Sequence, residues 1–168
     1  QGFASPSADS PLGAFKLVED TSIGQHKLEK GFSIVIGQGY TYSIFAKKGE
    51  RDWIQLRSNQ TAGNTYFNLS NGTIGTDSST SSSIEPIGNG WYKCTVSGVS
   101  ISTSNTIFTY LADADGSNSY TGDGTSGVYI YGAQLEVGSY ATSLINTSGS
   151  AVTREADTCN NGANSEVI

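Results

Sequence analysis

The sequence predicts an all-β fold, an antiparallel β-sandwich or jelly roll of eight or more strands. Three observations predict it. Apolar and polar residues alternate with a period of two over many segments, most clearly at residues 40–48 and 127–136. Clusters of Gly, Asn, Asp and Ser punctuate the chain at regular spacing, and glycine alone supplies 21 of 168 residues. No segment carries a convincing helical period, which favours stacked sheets over a parallel α/β arrangement.

The elements follow in order. Residues 1–15, with Pro6 and Pro11, read as an irregular lead-in, and Lys16 opens the first strand. Residues 26–35 read as a strand broken at Gly31, followed by the turn Ile36-Gly37-Gln38-Gly39. In residues 40–48, Tyr40, Tyr42, Ile44 and Ala46 face one way and Thr41, Ser43, Phe45 and Lys47 the other. Gly49-Glu50-Arg51-Asp52 has the character of a hairpin loop. The next strand, residues 53–59, turns Ile54 and Leu56 to the core and Trp53, Gln55 and Arg57 away from it.

Residues 65–70 form a short strand. Residues 71–83 are of low complexity and read as a flexible connection that supplies no core. Gly88-Asn89-Gly90 is a tight turn, because Asn and Gly tolerate positive φ. The strand after it, residues 91–101, points Tyr92, Cys94 and Val96 inward and Lys93 outward. Trp91 plugs the sandwich end. Residues 106–112 are a further strand and residues 113–127 a polar loop. In residues 127–136, Val128 and Ile130 share one face, and Leu135 rejoins them only if a β-bulge falls at Gly132. Tyr129, Tyr131, Gln134 and Glu136 then share the other face. Residues 139–150 supply a last edge strand. The sandwich therefore covers residues 1–157, and residues 158–168 are a linker or the start of a following domain.

Composition narrows the function. Net charge is −6 at neutral pH, which argues against nucleic acid and anionic membrane surfaces as partners but leaves neutral glycans open. No apolar run approaches transmembrane length. With no signal peptide at Gln1, the chain reads as a mature form or a fragment. Cys94 lies in a strand pattern and Cys159 in a polar tail; they read as a buried thiol and a spare one, or as a disulfide. One histidine, His26, leaves a catalytic triad a single candidate base, with no nucleophile motif to accompany it. The chain reads as a non-enzyme. Glycines around Gly122 lack the following Lys-Ser/Thr of a phosphate loop.

Two groups have the chemistry of a sugar-binding face, flat rings beside polar groups. One is Trp53, Gln55 and Arg57, spaced two apart. The other is Tyr129, Tyr131 and Gln134, with Lys47 and Lys93 as further hydrogen-bond donors. The same residues also fit plain packing at a sheet edge. Asp113, Asp115 and Asp123 put three carboxylates in one loop and form the candidate Ca²⁺ site, with Glu19 and Asp20 as a second.

Four ordered stretches carry a resemblance. They are Tyr40-Thr41-Tyr42-Ser43-Ile44-Phe45-Ala46-Lys47-Lys48-Gly49-Glu50-Arg51, Gly88-Asn89-Gly90-Trp91-Tyr92-Lys93-Cys94, the segment 127–143 beginning Gly127-Val128-Tyr129-Ile130-Tyr131-Gly132-Ala133-Gln134-Leu135-Glu136, and Gly149-Ser150-Ala151-Val152-Thr153-Arg154-Glu155-Ala156-Asp157. Together they resemble the β-sandwich modules of bacteriophage tail fibres and of secreted polysaccharide-active enzymes, which are similar to jelly-roll carbohydrate-binding modules. The likeness spans roughly residues 11–157. The usual first strand is largely missing, which implies a truncated start, and residues 158–168 are similar to the beginning of a lectin-like domain. The resemblance implies a non-catalytic polysaccharide-binding module of an extracellular or virion-associated protein, bringing no catalytic residues. The rival expectation, from another class, is a structural or oligomerising module of a tail appendage, its aromatics buried against a neighbouring chain or domain.

Overall fold

Strand formation follows the period-two pattern through most of the chain. The computed structural model describes Ala4, Pro6, residues 13–58 and 63–145, and Val152. Within them lie β1 (Phe15–Val18), β2 (Ile23–Gly24), β3 (Lys27–Ser33), β4 (Gly39–Lys48), β5 (Trp53–Ser58) and β6 (Asn64–Asn68). They are followed by β7 (Thr73–Asp77), β8 (Ser81–Gly88), β9 (Trp91–Val99), β10 (Ser104–Ala112), β11 (Tyr120–Thr121) and β12 (Gly127–Val137). There is no helix among the described residues. The first sheet runs β1-β12-β4-β9-β8 and the second β3-β10-β5-β6-β7; β11 and β2 form a small third pair. Every pairing is antiparallel. The protein is an antiparallel β-sandwich.

The core lies between the two five-stranded sheets. Tyr42, Ile44 and Ala46 of β4, with Cys94 and Val96 of β9 and Val128 and Ile130 of β12, meet Ile54, Leu56, Phe67, Ile107 and Leu111 of the second sheet. Fully burying a side chain such as Ile54 or Leu56 contributes about 1.5–3 kcal/mol. Tyr42 brings its hydroxyl into this interior and bonds it to Thr109 Oγ1 at 2.6 Å. Burial pushes the Tyr42 phenol up to about 12. Cys94 is a buried free thiol, raised far above the ordinary thiol range by desolvation. Cys159 lies outside the described residues, as do the expected tail at 158–168 and part of the lead-in.

Two expected elements are found as read, and several others take another form. The bulge in β12 is present: Gly132 and Ala133 stand between the pairs Tyr131↔Phe45 and Gln134↔Ser43, and Gly132 has φ +58°. Gly88, Asn89 and Gly90 all have positive φ, which lets β8 fold sharply back on β9. Residues 49–52 are not a hairpin loop. They carry the chain from β4 in the first sheet to β5 in the second, because both edges of β4 are already taken by β12 and β9. Strand β3 runs through Gly31 without a break, paired to β10 along its length.

The low-complexity stretch 71–83 also departs from expectation. It forms β7 and the start of β8, since ladder hydrogen bonds come from backbone and need no apolar side chains. Asp77 fastens the corner. Burial alone would raise its carboxyl, but bonds from Ser82, Thr65 and Ser79 outweigh this and hold it below the ordinary range. Residues 139–145 form no strand, and residues 146–150 lie outside the described residues.

Candidate functional site on the outer faces of the sandwich

The eight ligand residues expected from the sequence fall on two opposite surfaces. Trp53, Gln55 and Arg57 are on β5, whose outward side belongs to the second sheet. Tyr129, Tyr131 and Gln134 are on β12, and Lys47 and Lys93 on β4 and β9, all in the first sheet. Outward on one sheet is opposite to outward on the other, so Trp53 shares no platform with Tyr129 and Tyr131.

On the second sheet the strand register builds a cross-strand grid. Arg57 lies between Phe108 and Asn64, Gln55 between Tyr110 and Tyr66, and Trp53 between Ala112 and Asn68. Tyr66, Phe108 and Tyr110 are buried and form an aromatic floor, with Phe108 and Tyr110 stacked at 5.4 Å between ring centroids. Two cations lie over Phe108: Lys27 Nζ at 4.9 Å and Arg57 at 5.7 Å. Lys27 is paired with Glu29 at 2.6 Å, whereas Arg57 makes no salt bridge among the described residues.

The loop after β10 closes the other end of this grid. Asn118 Nδ2 donates to Gln55 Oε1, and Gln25 Nε2 donates to Asn118 Oδ1 at 3.4 Å, leaving Gln55 3% exposed. The Thr76 N–H donates to Asp115 Oδ1 at 2.7 Å. Trp53 lies against Gly75, where a Cβ would come within 2.7 Å of the indole ring. Gln55 therefore serves the loop, while the half-buried Trp53 and Arg57 keep outward surface. The aromatic floor was missed by sequence reasoning. Its signal was the run Ile107-Phe108-Thr109-Tyr110-Leu111, interrupted only by Thr109, which marks a strand covered on both faces.

The first sheet's outer face is occupied by the chain itself. Residues 139–145 run back across it as a strap. Glu136 accepts from the Thr142 N–H at 3.1 Å and from its hydroxyl, and Lys93 Nζ donates to the Thr142 carbonyl at 3.0 Å. Gln134 Nε2 donates to the Ser143 carbonyl at 3.5 Å, and its Oε1 accepts from the Ile145 N–H at 2.9 Å. Leu144 packs with Phe45 against a small cluster of Ala14, Trp91 and Tyr131. Trp91 is 4% exposed and Tyr131 8%, so Trp91 is buried on the outer face of the first sheet instead of plugging the sandwich end, and Tyr131 is covered rather than displayed. Tyr129 and Lys47 are half-buried in the row beside Trp91.

Of the carboxylates expected to hold calcium, Asp115 and Asp123 are separately engaged. Asp123 Oδ1 accepts from the Thr125 and Ser126 N–H groups and the Thr125 hydroxyl, and Oδ2 from the Ser126 hydroxyl. These bonds, the Ser126 hydroxyl's first, hold Asp123 far below the ordinary carboxylate range. Among the described residues no group of three or more His, Cys, Asp or Glu side chains could hold a metal. Glu19 is fully buried and its positive neighbour is Arg51, which donates through Nε at 2.8 Å and a terminal nitrogen at 2.5 Å. Tyr120 Oη and the Asp123 N–H add bonds of 2.7 and 2.9 Å. Desolvation would raise the Glu19 carboxyl, but these partners lower it on balance. Beside this knot His26 is buried, with Nδ1 3.3 Å from Asp20 and its ring 4.9 Å from Tyr120. Its Nε2 is buried with no hydrogen-bond partner among the described residues.

Compared with known proteins, the chain matches no family model and no curated protein sequence.

Proposed function

We propose that this chain is a non-catalytic carbohydrate-binding module of an extracellular or virion-associated protein, with its glycan on the outer face of the second sheet. One observation carries the reading. Arg57 presents a guanidinium with no carboxylate partner among the described residues, on a floor of buried aromatic rings, in a protein of net charge −6. A guanidinium fork there meets ligand hydroxyls or a sugar carboxylate in a bidentate way, and the exposed part of Trp53 offers a sugar ring a flat surface. The repeated crossings of the chain between sheets support the jelly-roll reading. A single shallow face of this kind binds at roughly micromolar to millimolar strength, and several copies on one carrier supply avidity. Glycan-array binding by wild type, Trp53→Ala and Arg57→Ala tests it. Loss in both variants is expected; binding that both substitutions leave intact refutes the site.

A second reading, a structural or oligomerising module, rests on the sandwich end where the β3–β4 and β9–β10 loops meet the end of β12. Val35, Ile36, Val99, Ile101 and Val137 are each more than half exposed there. Residues 31–46, 94–112 and 137–145 carry no charged side chain. An uncharged apolar tip on an acidic protein suits contact with a neighbouring chain or domain. Sedimentation velocity on wild type and Ile36→Asp/Ile101→Asp decides: a monomer at every concentration removes this reading.

A further inference from the structure

A cleft of about 210 Å³ opens on the first sheet, between the strap and strands β8 and β9. Ser83 and Glu85 of β8 and Lys93 and Thr95 of β9 form its floor, in the cross-strand register Ser83↔Thr95 and Glu85↔Lys93. Ser139 and Tyr140 form its wall.

The directly opposed Glu85 and Lys93 form no ion pair. Lys93 Nζ is turned instead to the Thr142 carbonyl at 3.0 Å, which leaves the exposed Glu85 without a salt bridge among the described residues. The bond that fixes the strap is thus the one that frees the carboxylate. The same strap places Tyr140, 72% exposed, at the rim. The cleft combines an unpaired acceptor, an ammonium with further N–H donors, several hydroxyls and one accessible ring face.

From this geometry we infer a second ligand site, distinct from the one on the opposite sheet, that takes a single neutral sugar ring. Vicinal hydroxyls donate to Glu85, a ring or hydroxyl oxygen accepts from Lys93, and the apolar face of the pyranose lies on Tyr140. The size agrees: drug-sized pockets run at about 300–1,000 Å³, and this cleft is smaller. The charge agrees as well. Glu85 and Lys93 offset one another, so the cleft offers an acidic sugar no net positive charge, whereas Arg57 on the other face attracts one. The inference stands without the second-sheet reading, because the two sites share no residue.

The test is an amide chemical-shift titration of the ¹⁵N-labelled chain with methyl α-glucoside, methyl α-galactoside and methyl α-mannoside. Shifts at Ser83, Thr95, Ser139 and Tyr140 are expected for at least one of them. Glu85→Gln and Tyr140→Ala should each weaken binding at least about tenfold, and Trp53→Ala should leave it unchanged. The inference is overturned if none of the three glycosides moves those amides. It is equally overturned if the shifts survive in both cleft variants, or vanish in Trp53→Ala. Failure of the second-sheet site would show separately, as glycan-array binding indifferent to Trp53 and Arg57.

Discussion

The two outer faces of the sandwich start from similar materials and end in different roles. Each has an aromatic, an amide and a cation: Trp53, Gln55 and Arg57 along β5 of one sheet, Tyr131 and Gln134 on β12 with Lys93 on β9 of the other. On the first sheet the chain returns as a strap and engages all three. On the second, a loop claims Gln55 but leaves Arg57 without an ion-pair partner among the described residues. Period two decides which way a side chain points. Whether it then meets solvent, a ligand or its own backbone depends on a segment far along the chain.

The largest effect should come from breaking this contrast on the covered face. Tyr131→Ala removes a ring buried with Trp91 and Leu144 and should cost about 3–5 kcal/mol in urea unfolding. Trp53→Ala, at a half-buried position, should cost clearly less. Equal losses would erase the distinction between a packed face and a presented one.

Next is Arg51→Ala, which strands Glu19 as a buried charge and should cost roughly 3 kcal/mol while leaving both faces in place. The pH dependence follows from the same group. Glu19 and Asp123 titrate lower in the folded chain than unfolded, so their stabilisation is complete above the ordinary carboxylate range near pH 4. It is lost as pH falls through the lowered folded values. The free energy of unfolding should therefore decline on acidification below about pH 5, and less steeply in Arg51→Ala. A profile unchanged by the substitution counts against this assignment.

A smaller effect sharpens the role of the strap. Lys93→Ala removes one charged bond to Thr142 and should cost about 1 kcal/mol. Hydrogen exchange should quicken at residues 139–145 and stay slow in β4 and β12. The smallest expected effect is that of Ca²⁺. Melting curves with EDTA and with excess Ca²⁺ test the calcium expectation at Asp113, Asp115 and Asp123 directly, because an ion held only by the folded chain raises its melting temperature. A clear upward shift with Ca²⁺ would place an ion on this fold.

Much of the fold was legible in the sequence. The inward set of β4, the outward row of β5, the Gly132 bulge and the Gly88-Asn89-Gly90 turn all follow from local alternation and backbone freedom. What local pattern could not supply was partnership. Residues 49–52 look the same whether they join neighbours in one sheet or span two. The serines of β8 have no apolar signature, because they join the sheet through backbone alone and line a cleft. Tyr131 and Tyr129 read alike in sequence; in the structure Tyr131 is buried with Ala14 and Trp91, whereas Tyr129 is half-buried against the same cluster.

The knot around Glu19 has a kinetic consequence. Arg51 is 32 residues away along the chain, Tyr120 101 and the Asp123 amide 104. If contacts of such separation close only after both sheets have docked, they form late on the folding route and beyond its barrier. The ion pair should thus act as a latch against opening: cutting it should accelerate unfolding and leave the refolding rate nearly untouched. How rarely the fold opens would then rest on this latch rather than on how quickly it forms.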